Sequence, residues 1–210
     1  ADSGDYEIKV VQDKYEVTQT EDFVSPLAEV YYKGELIKSD LEGNPTKVDT
    51  NKLGTYEVIY YYHGATKTIE VEVVDNAEPS KSQIVLKYDD ENGKSYQGNW
   101  YSGNIYVEYK STDYTEEGIK GSGIAYYEVS EDGENFTKID GNTEIIEKEG
   151  NYLRYVRAVD ESGNTGVVNS YRIKIDKTKP TCTFAGESTE WQPNLNLTAS
   201  EQITSRTIIA

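Results

Sequence analysis

The sequence predicts an all-β chain of tandem two-layer sandwiches, and three observations carry that prediction. Apolar and polar residues alternate in runs such as TIEVEVV, where Ile69, Val71 and Val73 point one way and Thr68, Glu70 and Glu72 the other. Gly, Asn or Asp breaks such runs about every 8–12 residues, the spacing of short strands joined by turns. Nineteen Tyr stand against three Phe and no Met. Tyr must therefore fill much of the interior, and it favours half-buried strand positions.

In chain order, the first segment reads as strands over Tyr6–Val11, Tyr15–Thr18, Ala28–Tyr32, Glu35–Lys38, Thr46–Asp49, Gly54–Tyr62 and Thr66–Val74. The last two form a hairpin around the tight turn at His63, Gly64 and Ala65, with Tyr56, Val58, Tyr60 and Tyr62 on one face. The second segment repeats the plan over Gln83–Tyr88, Asn104–Lys110, Ile124–Ser130, Phe136–Ile139, Thr143–Glu147, Asn151–Asp160 and Val167–Ile175. EDGENF (Glu131–Phe136) places Asp-Gly at a hairpin tip. Short strands in this number fit an immunoglobulin-like sandwich better than a barrel.

The internal repeat is more specific than any strand. LGTYEV (Leu53–Val58) matches EGNYLR (Glu149–Arg154), so Gly-x-Tyr opens the penultimate strand of each half. Tyr56 and Tyr152 are expected to form tyrosine corners, with Gly54 and Gly150 permitting the bend. Each half closes on Asp-x-x-x-Pro, in VVDNAEP (Val73–Pro79) and KIDKTKP (Lys174–Pro180). In each, Asp turns the chain and Pro, with fixed φ and no N–H, opens the next sandwich. The expected organisation is an Ig-like domain over 1–78, a longer one over 79–179, and the start of a third over 180–210. Trp191, Leu195 and Leu197 there echo Trp100, Ile105 and Val107. A chain ending inside a repeat is expected to be part of a longer array.

Composition excludes some functions. A formal net charge of −17 argues against nucleic acid, which needs basic patches to displace counterions. Cys182 is the single cysteine, so no internal disulfide can form. No apolar run approaches about 18 residues, so no membrane-spanning segment is expected. The opening ADSGDYEIKV lacks a basic and then apolar segment, so any signal peptide is expected to lie outside this sequence.

The run VDTNKLGTYEVIYYYHGATKTIEVEVVD resembles bacterial Ig-like repeats of Gram-positive surface and secreted proteins, of the internalin and crystal-toxin-associated types. Val48, Asp49, Gly54, Tyr56, Val58 and Tyr60 carry the resemblance; the usual Asp-x-x-Gly-Asn turn is replaced by His63, Gly64 and Ala65. GIKGSGIAYYEVSEDGENF and GNYLRYVRAVDESGNTG are similar to the longer repeats of secreted bacterial proteins, and YLRYVRAVD also looks like fibronectin type III modules. The resemblance implies fold and an extracellular, cell-surface or secreted setting. Fold alone does not give function.

No catalytic constellation converges in the sequence, so no enzyme, catalytic residue or cofactor is expected. His63 is the only histidine and reads as a turn residue. Cys182 reads as a small core residue on a strand. Oxygen ligands for calcium occur at Asp89-Asp90-Glu91-Asn92, at Asp160-Glu161 with Asn164, and at Asp75 and Asp176. None has a calcium-loop pattern, and turns favour Asp and Asn for backbone reasons alone. No metal site is therefore assigned, Asp160 and Asp176 being the best-placed candidates. Some Gram-positive domains hold a Lys–Asn isopeptide bond, and Arg154 on an inward face with Tyr152, Val156 and Ala158 calls for an acidic companion. Trp100-Tyr101 and Tyr126-Tyr127 are candidate sugar-stacking pairs, although Trp100 is expected to pack inside.

The function expected is a non-catalytic extracellular repeat segment of a bacterial surface protein, a stalk or adhesive spacer whose partners include neighbouring Ig-like repeats. One alternative is a module binding a host or environmental glycan or protein. Others are an accessory region of a secreted glycoside hydrolase or protease, and a surface-layer component.

Overall fold

The computed structural model describes residues 3–184 and 197–200. A 3-10 turn (Ser3–Asp5) leads into β1 (Tyr6–Lys9), β2 (Lys14–Thr18), β3 (Ala28–Tyr32), β4 (Glu35–Leu41), β5 (Gly54–Tyr62) and β6 (Ala65–Val74). The second repeat supplies β7 (Gln83–Tyr88), β8 (Ile105–Lys110), β9 (Ile124–Ser130), β10 (Thr137–Lys138), β11 (Thr143–Ile146), β12 (Gly150–Asp160) and β13 (Asn169–Ile175). Beyond it, β14 (Thr181–Phe184) pairs antiparallel with β15 (Leu197–Ser200). The described residues contain no α-helix.

In the first repeat, one sheet runs β1-β3-β4 and the other β2-β6-β5, with β2 parallel to β6. The alternation in TIEVEVV has its expected result: Ile69, Val71 and Val73 are buried. They join Ile8, Val17, Ala28, Val48, Val58 and Tyr60 in one core. Tyr60 is fully buried, and its hydroxyl donates to Pro26 O at 2.6 Å. The β5–β6 hairpin turns on His63 and Gly64, both at positive φ, so that Tyr62 pairs with Ala65. Tyr56 forms its corner, donating from the hydroxyl to Lys52 O at 2.7 Å, and Gly54 before it has φ +132°.

The second repeat contains the sheets β10-β9-β12-β13 and β11-β8-β7. Alternate residues of β8, Ile105, Val107 and Tyr109, are fully buried. At Glu131–Phe136 the expected turn forms: Asp132 Oδ1 accepts from the N–H groups of Glu134 and Asn135, and Gly133 has φ +81°. Gly150 has φ +142°, and a Cβ there would meet the Tyr152 ring at 2.5 Å. The architecture is all-β, that of tandem immunoglobulin-like sandwiches.

Several expected strands differ in extent, β1 ending at Lys9 and β4 reaching Leu41, and three more also differ. Thr46–Asp49 is no strand; isolated contacts hold it instead, Ser25 N–H donating to Thr46 O and Val48 N–H to Phe23 O. β10 shrinks to Thr137–Lys138, both exposed, with no apolar face to extend it. β13 begins at Asn169, because Val167 and Val168 are exposed and bury no face.

By compactness the chain divides into two units. The larger runs to Gln83 and takes in Tyr109–Asn142 and Tyr155–Ser170; the smaller comprises Ile84–Glu108, Thr143–Arg154 and the described residues from Tyr171 onward. Trp191 and Leu195 lie outside the described residues, as does the side chain of Cys182.

Candidate metal centre

Within the larger unit, Asp75, Asp113 and Asp160 come together, with one carboxylate oxygen of each within 4.8 Å of the others. Their exposures are 3%, 3% and 2%. Buried carboxylates are costly unless paired, hydrogen-bonded or bound to a cation.

Local structure aims each one. Asp75 follows the end of β6, where its Oδ1 accepts from Ala77 N–H at 2.9 Å and its Oδ2 from Ser122 N–H at 2.6 Å. Asp113 lies just past β8, on a segment held where Ser80 N–H donates to Thr112 O and Thr112 N–H to Ser80 Oγ. Its Oδ2 accepts from Gly123 N–H at 2.6 Å, while its Oδ1, although buried, accepts from no described residue. Asp160 ends β12 at a bulge against β9 that breaks strict alternation, so Ala158, Val159 and Asp160 are all buried. Its oxygens accept from Asn164 N–H at 2.7 Å and Asn164 Nδ2 at 2.8 Å. Asn164 Nδ2 also donates to Asp75 O, tying two of the three loops together.

Electrostatics separate the carboxyls. Burial pushes Asp113 above its ordinary value; the Gly123 N–H opposes that, while the charges of Asp75 and Asp160 add to it. Burial also acts upward on Asp75, but the donations from Ser122 and Ala77 prevail and hold it below the ordinary value. Gly121 leaves the space open, since a Cβ there would lie 2.7 Å from both Asp75 Oδ2 and Asp113 Oδ2. Beside it, Gln19 Nε2 donates to Lys120 O at 3.0 Å, and the buried Gln19 Oε1 has no donor among the described residues.

The other candidates disperse. His63 stacks on Tyr6, with ring centroids 5.3 Å apart, as part of its turn. Asp89 accepts from the Tyr101 hydroxyl, and Asp90 accepts from Asn92 N–H, as in an ordinary turn. Asp176 caps its own turn through Thr178 N–H, matching Asp75 and Ala77 at the first boundary. Arg154 has the acidic companion its position called for: Nη2 lies 2.8 Å from Glu144 Oε1, with side chains 16% and 20% exposed. Tyr127 is buried, so Tyr126-Tyr127 is not an open stacking pair. Trp100 is half-buried and borders a cleft with Tyr88, Asp89 and Tyr101.

Asp75 and Asp160 were each visible in the sequence as oxygen ligands, but Asp113 was not. It stands alone in STDYT, and nothing local distinguishes it from a turn aspartate. The weak signal was GIKGSG, whose closely spaced glycines allow backbone N–H groups to approach carboxylates.

Residues 29–73 match the family model described as Bacterial Ig-like domain (group 3). No curated protein matches the chain. Among solved structures, the chain is similar to the N-terminal four Ig domains of Dscam1 isoform 9.44, with 10% identity, 81% of this chain and 45% of that chain covered, and a TM-score of 0.46. It is also similar to the Clostridium thermocellum CbhA fibronectin(III)-like modules, with 14% identity, 81% and 94% covered, and a TM-score of 0.32. The chain spans less than half of the Dscam1 structure's length.

Proposed function

We propose that the chain is a non-catalytic extracellular repeat segment of a bacterial surface protein, serving as a stalk or adhesive spacer over the domains 1–78 and 79–179, with a third beginning at 180. The observation that carries this reading is the bacterial Ig-like match at residues 29–73, set in a tandem sandwich architecture. Each sandwich resists deformation because its strands are hydrogen-bonded along their length over an apolar core. A row of them holds whatever it carries away from the cell envelope. The acidic surface keeps such a row soluble and self-repelling. No helix among the described residues is long and apolar enough to cross a membrane.

A second reading, glycan binding, has its own observation. Trp100, Tyr88 and Tyr101 border a cleft with Asp89, Asn92 and Lys94, a mix of aromatic faces and polar groups suited to a sugar ring. One experiment separates the two. On a glycan array the spacer shows no saturable binding. Saturable binding that Trp100→Ala removes would replace the spacer reading with the glycan one.

A further inference from the structure

We propose that Asp75, Asp113 and Asp160 form a binding site for a calcium ion. This goes beyond the spacer reading, which needs no ion.

Charge is the first argument. Three acidic side chains, none more than 3% exposed, face one another, and the N–H groups that donate to them are all neutral. Such donors satisfy lone pairs without cancelling charge, whereas a divalent cation does both. The second argument is a separate observation: Asp113 Oδ1, on a carboxylate that meets the other two, is buried and accepts from no described residue. A buried polar atom left unmatched costs about 1–3 kcal/mol. A cation is the ligand that such an atom, in that company, is suited to accept.

The donor set fixes the kind of ion. It is all oxygen, which suits calcium and magnesium rather than zinc or copper. The carboxylates come from two loops and the last residue of β12, each already held by its own N–H contacts. That irregular arrangement fits calcium, which tolerates uneven geometry, better than magnesium, which demands a near-ideal octahedron. Each oxygen that accepts an N–H keeps a second lone pair for the ion. Gly121 keeps the space clear. Asp75 also borders an open cleft of about 540 Å³ whose lining includes Glu21, Glu78, Glu116 and Glu117, an acidic approach that concentrates cations.

To test the site, chelator-treated protein is titrated with calcium chloride by calorimetry and melted with and without calcium. One saturable site is expected, with Tm rising by about 5–10 °C at calcium 100-fold above Kd. Asp113→Asn retains an acceptor for Gly123 N–H and places a donor amide where Oδ1 lacked one. The variant should fold, melt no lower than wild type without metal, and bind calcium at least about tenfold more weakly. Should it not fold, Asp160→Asn serves in its place. No saturable heat and no Tm shift in the wild type would overturn the proposal. An undiminished shift in the folded variant would also overturn it, because the ion would then bind elsewhere.

Discussion

Between Tyr6 and Val74 the buried residues are chiefly Ile8, Val17, Ala28, Val30, Val48, Val58, Tyr60, Ile69, Val71 and Val73, with uncharged Gln19, Ser25 and Thr50. Between Asp75 and Asp176 the apolar set, including Ile105, Val107, Tyr109, Val156 and Ile173, is joined by Asp75, Asp113, Asp160 and Asp176. Partly buried ion pairs add to it, Arg154 with Glu144 and Arg157 with Glu128. The stretch up to Val74 and the stretch from Asp75 onward thus keep different things from water. Apolar burial is non-directional and indifferent to pH or ions. Buried charge depends on each partner staying in place and in its protonation state. The stretch up to Val74 should therefore respond to lost volume, and the stretch from Asp75 onward to lost partners, protons and cations.

The largest expected effect tests the apolar side. Tyr60→Ala empties a fully buried position and removes the donor to Pro26 O, and should cost about 3–5 kcal/mol in urea unfolding. That cost should not change between pH 5 and 8. A pH-dependent cost would break the contrast.

Arg154→Leu tests the charged side. The substitution keeps much of the side-chain volume but leaves Glu144 without its guanidinium partner, and should cost about 1.5–3 kcal/mol. Because the pair is largely withdrawn from solvent, raising salt to about 1 M should recover little of the loss. A cost near zero would mean the ion pair is dispensable.

A smaller effect concerns Asp113 in chelator-treated protein. Its folded-state pKa is raised above 3.8, so the folded protein binds more protons than the unfolded chain over the interval above 3.8. Stability from this group is present below 3.8 and is lost as pH rises through the elevated value. Wild type should therefore lose stability relative to Asp113→Asn over that rise, as chemical denaturation at a series of pH values would show. A constant difference would mean that Asp113 is not strained by its neighbours.

Much of the fold was legible in the sequence, because alternation and turn residues act locally. TIEVEVV buries the face it announces, and Gly-x-Tyr places Tyr56 in its corner. Thr46–Asp49 misled because a short β-branched run looks the same whether it joins a ladder or is held by isolated contacts. Arg154 could be read as needing an acid, since its strand face was clear, but Glu144 could not be named before β11 was placed. The carboxylate cluster was legible only in pieces. Asp75, Asp113 and Asp160 are far apart in sequence, and what joins them is a bulge in β12, a turn after β6 and the glycine loop.

The most direct measurement of the contrast is hydrogen exchange by mass spectrometry, with and without calcium. Protection should rise in peptides covering residues 74–78, 110–123 and 159–166, while β5 and the first half of β6 exchange at unchanged rates. Uniform change along the chain, or none in those three segments, would contradict the account.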